Sequence, residues 1–357
     1  MKRRLLPVIF CIIFIAQSTW AAREEIEDIS KDPYISALVI DADTGKTLID
    51  ENSTLKAYPA SVLKMMVLLV VLEQIEKDAL DLKDMVQVTP EAARMGGSQV
   101  YLDPKEQFSV EDLLYALMIQ SANDAAVALA VHISGSKENF IELMNERAAA
   151  LGMNDTQFHS VHGLPPSKGQ QVDTTTARDL SILAMALAKK QETFQFTGTK
   201  EKAFRSGEFI MRTHNHLLES VAGCDGFKTG YFRAAGFSIV ATARQKGVRL
   251  IVVVLGSKDR KVRDAKAQEL FTVGFSQVTQ RPEPEVTVEP AVQKAQPLPQ
   301  PEETKAALPV KEEVKEKEQT GNGWYKFFLG VGVGLLPFLF LVITRMKRSN
   351  KRSSRYI

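Results

Sequence analysis

Tyr58-Pro-Ala-Ser-Val-Leu-Lys-Met-Met-Val-Leu-Leu-Val-Val-Leu72 is the stretch from which the fold can be read. Pro59 and Ala60 open a helix pattern that runs Ser61–Lys77. Met65–Leu72 is apolar nearly all round, so this helix has no solvent face and belongs at the centre of a domain. Its first turn carries two polar side chains, Ser61 and Lys64, three apart and therefore on one face. A helix N-terminus also offers unpaired N–H groups and a positive dipole end. Such a place can activate a hydroxyl and stabilise an oxyanion.

Upstream of it, Ile35–Asp41 is β-branched and alternating, Asp43-Thr-Gly-Lys46 reads as a hairpin turn, and Thr47–Asp50 returns. Downstream, helices are expected over Val110–Ile119, Asp124–Ile133, Lys137–Leu151 (stopped by Gly152) and Thr175–Lys189. The pattern then changes. Phe204–Thr213, Gly236–Arg244 and Val248–Leu255 look like strands, and Val262–Phe275 closes as a helix. Strands joined by short turns pair antiparallel. The expected fold is α+β: an antiparallel sheet flanked by helices, plus a helical lobe.

The ends of the 357-residue chain differ from its middle. Met1–Arg4 is basic, Leu5–Ala16 is an apolar run too short to span a bilayer, and small residues follow up to Ala22. That order predicts a secretory signal over 1–22, which places the chain beyond Arg23 outside the cytoplasm. Arg281–Thr320 holds seven Pro, nine Glu and no aromatic residue, too little apolar surface to offset the entropy of ordering. It is expected to be a disordered tether within a linker over 281–323; at about 3.1 Å per residue it could reach roughly 100 Å. Phe327–Thr344 is uncharged, flanked by Trp324 and Tyr325 on one side and by six basic residues on the other. These features predict one transmembrane helix over 324–345 and a cytoplasmic tail over 346–357. The folded domain is then 23–280. The net charge of +2 hides this asymmetry. Ten of the 45 basic residues lie in the two ends, leaving 35 against 43 acidic ones. A net-acidic body argues against nucleic-acid binding. Two cysteines, one of them in the leader, allow no disulfide framework or zinc ribbon.

Ser61-Val-Leu-Lys64 has the pattern S-x-x-K, but so do Ser53-Thr-Leu-Lys56 and Ser134-Gly-Ser-Lys137. Only Ser61 opens a long apolar helix; the other two read as loop serines near solvated lysines. Ser121-Ala-Asn123 is a unique S-x-N between two helices, where irregular backbone can present side chains to a cleft. Either residue could instead be a simple helix cap. Lys228-Thr-Gly230 is a unique K-T-G, expected to precede the strand pair Gly236–Leu255. Each motif is weak alone. The three in this order, spaced 60 and 107 residues apart, correspond to the acyl-enzyme constellation of penicillin-interacting serine enzymes.

Over roughly Ile35–Phe275 the chain resembles the D-alanyl-D-alanine carboxypeptidases, the low-molecular-mass penicillin-binding proteins that trim peptidoglycan. Beyond the three motifs, the likeness rests on several segments: Ala37–Lys46, Tyr58-Pro-Ala-Ser61, Ser121–Ala125, His162-Gly-Leu-Pro165, Thr176–Leu180 and Asp225–Tyr231. The resemblance implies a β-lactamase/transpeptidase-like fold and a two-step acyl transfer on stem pentapeptides, without a cofactor or metal and inhibited by β-lactams. Ser61 would attack the carbonyl between the last two D-alanines, Lys64 would accept its proton, and Ser121 would relay a proton to the leaving amine. Asn123 would hold the substrate amide. Lys228, Thr229 and Gly230, with Arg263, would bind the terminal carboxylate and the substrate backbone. The N–H groups of Ser61 and Tyr231 would form the oxyanion hole. The two ends, not the resemblance, predict the location: a single-pass cell-membrane protein with its folded domain on the cell-wall side and its C-terminus cytoplasmic.

Phe232 departs from the family, which commonly has Thr there; the missing hydroxyl raises the expectation of weakened carboxylate contacts. Three other readings follow from the same residues: a D,D-endopeptidase on cross-links, a β-lactamase, or a catalytically weak cell-wall binder. The β-lactamase ranks lower because position 122 is Ala where those enzymes typically have Asp. His132, His159, His162, His214 and His216 show no metal-ligand spacing, and His214 with His216 reads as a solvent-facing pair. Cys224, four residues before Lys228, could let a thiol reagent block the site. Oligomeric state has no signature in the sequence.

Overall fold

The computed structural model describes residues 26–279 and 281 of the chain. The leader over 1–22, the linker beyond Arg281, the span over 324–345 and the tail over 346–357 lie outside the described residues. Among those described, no helix is long and apolar enough to cross a membrane.

The opening hairpin pairs β1 (Ser36–Asp41) with β2 (Thr47–Glu51), Val39 facing Ile49. The central helix begins as a 3-10 turn over Ala60–Leu63, which then relaxes into α1 (Lys64–Glu76). Every residue from Lys64 to Leu72 is buried, as an all-round apolar sequence requires. A two-stranded ribbon of β3 (Met85–Gln87) and β4 (Gln107–Ser109) follows, with α2 (Pro90–Ala93) between its strands. Next come α3 (Val110–Tyr115), α4 (Asn123–Ser134), α5 (Lys137–Leu151) and α6 (Ala177–Ala188). The α5 helix has Ser136 as its cap, accepting from the Asn139 N–H at 3.1 Å, and Gly152 as its left-handed stop. Together these helices surround α1.

The chain continues through α7 (Thr193–Thr197), β5 (Glu201–Phe204), β6 (Phe209–Arg212) and α8 (Leu217–Ser220). It ends with β7 (Cys224–Phe232), β8 (Gly236–Gln245), β9 (Val248–Ser257) and α9 (Arg260–Ser276). The five-stranded sheet has the order β2-β1-β9-β8-β7, and every neighbouring pair is antiparallel. Side-chain alternation gives this sheet two buried faces. Leu38, Ile40, Ile251 and Val253 join the core around α1. Ala37, Val39, Val252 and Val254 pack with Ala267, Leu270 and Phe271 of α9 on the other side. Burial on both faces explains why residues 250–255 of β9 read as an unbroken apolar run.

One expectation is corrected and one is extended. Phe204–Thr213 is not one strand but a hairpin, because Arg205 and Ser206 both adopt positive φ and reverse the chain between β5 and β6. Lys228-Thr-Gly230 precedes the strand pair β8–β9, as expected, and itself lies inside a further strand, β7, at the edge of the main sheet. Lys228 and Gly230 disfavour a strand, while Thr229 and the flanking Phe227 and Tyr231 favour one. Pairing with β8, Lys228 opposite Val240 and Gly230 opposite Ser238, imposes the extended conformation.

Candidate active site

Three segments far apart in sequence meet at the N-terminal end of α1. Ser61 stands in the 3-10 turn, one helical turn before Lys64. Ser121 ends a wide π-type turn over Ala116–Gln120 and adopts a left-handed backbone, φ 61°. A non-glycine residue there costs of order 1–3 kcal/mol and is kept only when its surroundings demand it. Here the strain lets the chain turn sharply into α4, whose first residue is Asn123. The edge strand β7 brings Lys228, Thr229 and Gly230 alongside. A Cβ on Gly230 would lie 2.7 Å from the Pro59 carbonyl oxygen and 3.1 Å from the Ser61 amide nitrogen. Only glycine lets the strand backbone come this close to the Ser61 turn.

Lys64 is fully buried. Its Nζ lies 3.0 Å from Ser61 Oγ, 2.8 Å from Asn123 Oδ1 and 2.6 Å from the carbonyl oxygen of His162. Burial, and then the Lys228 ammonium, hold this amine well below the usual lysine range; Asp124 and Asp173 oppose them. A neutral amine has two N–H donors and one lone pair. With Asn123 and His162 taking the two donors, the lone pair faces the Ser61 hydroxyl, the arrangement a general base needs. Asn123 cannot turn away, because its Nδ2 donates to the Gly96 carbonyl at 2.7 Å and its own N–H to the Ser98 carbonyl at 2.8 Å. The second Nδ2 hydrogen is the one that could serve a ligand.

A cleft of about 430 Å³ opens over this centre, lined by Ser61, Ser121, Thr229, Gly230, Tyr231 and Arg263 among others. Lys64, Asn123 and Lys228 are buried behind it. Burial, followed by Arg263, pushes Lys228 down to about 7. Arg263, in the charged stretch Lys258–Lys266, is 2% exposed, bonded to Asp264 Oδ1 at 2.6 Å and to the Ser238 carbonyl at 3.3 Å. Tyr231 is half exposed, its ring stacked on Phe237 at 4.0 Å between centroids. The structure therefore brings every sequence-derived site residue to one place.

It also adds residues the sequence did not single out. Ser98, Thr213 and Arg260 line the cleft. So do His214 and His216, which are cleft-wall residues and not merely a solvent-facing pair; His216 Nε2 lies 3.1 Å from Arg260 Nη1. No sequence signal assigned the two histidines to the site, since the irregular loop before α8 has no period. The His162 carbonyl was equally invisible, because a main-chain acceptor has no residue type. Phe232 lies outside the cleft lining. It is 9% exposed, stacked on Tyr58 at 6.0 Å and packed with Ala60 and Ala235, so it fills an apolar corner behind the Ser61 turn. The ring itself therefore does not intrude on the cleft. Cys224 is half-buried and burial pushes its thiol up to about 11, which makes it a poor nucleophile at neutral pH.

The residue pattern of the D-alanyl-D-alanine carboxypeptidase family matches residues 24–259. The chain is 37% identical over 250 residues to D-alanyl-D-alanine carboxypeptidase DacF of Bacillus subtilis, covering 69% of this chain and 63% of that one. It is 38% identical over 271 residues to DacC of Escherichia coli, covering 74% and 66%. In both cases it spans slightly less than two thirds of the relative's length. Among solved structures, penicillin-binding protein 5 from Haemophilus influenzae superposes with TM-score 0.64 at 32% identity, covering 68% of this chain and 71% of that one. The ampicillin-bound form of penicillin-binding protein D2 from Listeria monocytogenes superposes with TM-score 0.62 at 29% identity, covering 68% and 97%.

Proposed function

The chain belongs to the D-alanyl-D-alanine carboxypeptidase family, and on that premise we propose that it removes the terminal D-alanine from peptidoglycan stem pentapeptides through an acyl-enzyme on Ser61. The carrying observation is the buried Lys64 amine, 3.0 Å from Ser61 Oγ with both other contacts to acceptors. Neutral Lys64 takes the hydroxyl proton as Ser61 Oγ attacks the penultimate D-alanine carbonyl carbon. The negative oxygen that forms lies between the N–H groups of Ser61 and Tyr231. The C–N bond then breaks, and the departing D-alanine amine receives a proton relayed by Ser121. Water hydrolyses the Ser61 ester, with Lys64 again accepting a proton, and releases the tetrapeptide. Lys228, Thr229 and Arg263 hold the terminal carboxylate, which explains a cluster of cations in a chain whose body is net acidic. Asn123 holds the substrate amide. A β-lactam offers the same carbonyl and carboxylate, so it acylates Ser61 too.

The test is release of free D-alanine from a D-Ala-D-Ala-ending stem pentapeptide by the full chain, beside Ser61→Ala. Release by the native chain and none by the variant is expected. A native chain that takes a penicillin label on Ser61 yet releases no D-alanine would overturn the carboxypeptidase reading.

We further propose that this domain works outside the cytoplasm, held by the 281–323 linker to a single membrane span over 324–345. The charge and hydropathy pattern of the two ends supports this. Protease added to intact spheroplasts should remove the catalytic domain and leave a protected fragment containing the basic tail.

A further inference from the structure

The His162–Gly163 peptide links the base to a buried carboxylate that the mechanism above does not use. Its carbonyl accepts from Lys64 Nζ at 2.6 Å, while its N–H donates to Ser160 Oγ at 2.9 Å. The peptide is planar and its C=O and N–H point opposite ways, so fixing one direction fixes the other. Ser160 is buried, and its hydroxyl hydrogen has a determined target. The Gly163 N–H can only donate, so Ser160 accepts there and gives its own hydrogen to Asp173 Oδ2 at 2.7 Å. Asp173 Oδ1 takes two more donors, the N–H groups of His159 at 2.6 Å and Ser160 at 2.9 Å.

The brace is tied to the nucleophile turn as well. Gln157 and Thr174 exchange main-chain hydrogen bonds at 3.0 Å each, and Thr175 does the same with Ala57 at 2.8 and 2.9 Å. Gly163 has φ +76°, and a Cβ on it would fall 2.1 Å from the Ala60 carbonyl oxygen. The segments carrying Ser61, the His162 carbonyl and Asp173 are thus one hydrogen-bonded unit.

We propose that Asp173 is a positioning residue for the acylation base: through Ser160 and the Gly163 N–H it aims the His162 carbonyl at Lys64 and so orients the Lys64 lone pair toward Ser61. This rests on the reading of Lys64 as the base. The carboxylate does two things. It stops the peptide plane from rotating, which would turn an N–H toward Lys64. It also polarises the chain of hydrogen bonds that ends at the carbonyl. The charges acting on Lys64 are Lys228, which disfavours its ammonium, and Asp124 and Asp173, which favour it. Asp173 itself is pushed up to about 6 by burial, against the pull of its donors from His159 and Ser160 and of Lys64.

The experiment uses the full chain and a fluorescent penicillin, separating the pre-covalent dissociation constant from the first-order acylation step. In Asp173→Asn the side-chain amide donates where Oδ2 accepted, so the Ser160 hydroxyl must turn; in Ser160→Ala the relay is gone. Both variants are expected to lose about 10- to 100-fold in the acylation step, with the dissociation constant unchanged, as for a misaimed base. The acid limb of the acylation rate should also move to lower pH in Asp173→Asn, because the lost negative charge favoured the Lys64 ammonium. Folded variants acylated within threefold of the native chain would overturn the proposal. So would losses matched by the loss of folded protein in circular dichroism. A native chain that is not acylated at all would instead sink the reading of Ser61 and Lys64. A measurement without any variant stands beside these. His162–Gly163 is the one His–Gly pair in the sequence, so carbonyl-13C histidine with 15N glycine isolates that amide by NMR. Slow solvent exchange is expected, and fast exchange would refute the Ser160 hydrogen bond on which the brace depends.

Discussion

Substituting Gly230 by alanine is the sharpest available perturbation of the oxyanion site, because it adds one methyl group where no atom fits. The new Cβ would sit 2.7 Å from the Pro59 carbonyl oxygen, 3.0 Å from the Val62 nitrogen and 3.1 Å from the Ser61 nitrogen. Ordinary contact begins near 3.4 Å, so strand and turn must separate by about 0.7 Å against the first of these. All three neighbours are main-chain atoms, so no side chain can rotate out of the way. The separation opens the gap between the Ser61 and Tyr231 N–H groups. Oxyanion donors act at about 2.7–3.1 Å, and losing one costs about 10²–10³ in rate, roughly 2.7–4 kcal/mol. Gly230→Ala should therefore lower both penicillin acylation and D-alanine release by about 10²–10³. The melting temperature should fall little, since β7 is an edge strand and can shift outward. Stopped-flow acylation with a fluorescent penicillin, normalised to folded protein, reads the effect. A variant within threefold of the native rate would show that the oxyanion is not held between Ser61 and Tyr231.

Lys228 should set an upper pH limit for substrate binding. Burial and Arg263 push it down to about 7, so it carries the charge that binds a carboxylate below that pH and loses it above. KM for a free-carboxylate peptide should rise about tenfold between pH 6 and pH 8, whereas a C-terminal amide analogue should show no such trend; a flat KM for the carboxylate peptide would contradict this. Phe232→Thr should restore no turnover, because the Phe232 ring packs on Tyr58 and Ala60 outside the cleft. Truncating so large a buried side chain costs about 3 kcal/mol, seen as a fall of about 6–12 °C in melting temperature; faster D-alanine release would return Phe232 to the site.

The sequence by itself determined the class of chemistry and most of the scaffold. An apolar helix opened by Ser61 and Lys64 has one place to go, the centre of a domain, and S-x-N and K-T-G follow at spacings with few other meanings. Local patterns placed α5, β8 and β9 nearly to the residue, because caps and long apolar runs act over a few neighbouring positions. What escaped were features whose cause is distant in the chain. β7 is a strand only because β8 pairs with it, and Arg263 is a buried cation only because α9 starts beside β8. Phe232 looks like a defect in a motif until Tyr58 is seen against it. Least legible of all was the acceptor of the Lys64 amine. The His162 carbonyl belongs to no residue type, and its direction is decided by a peptide plane clamped between Ser160 and the base, which only the tertiary structure brings together.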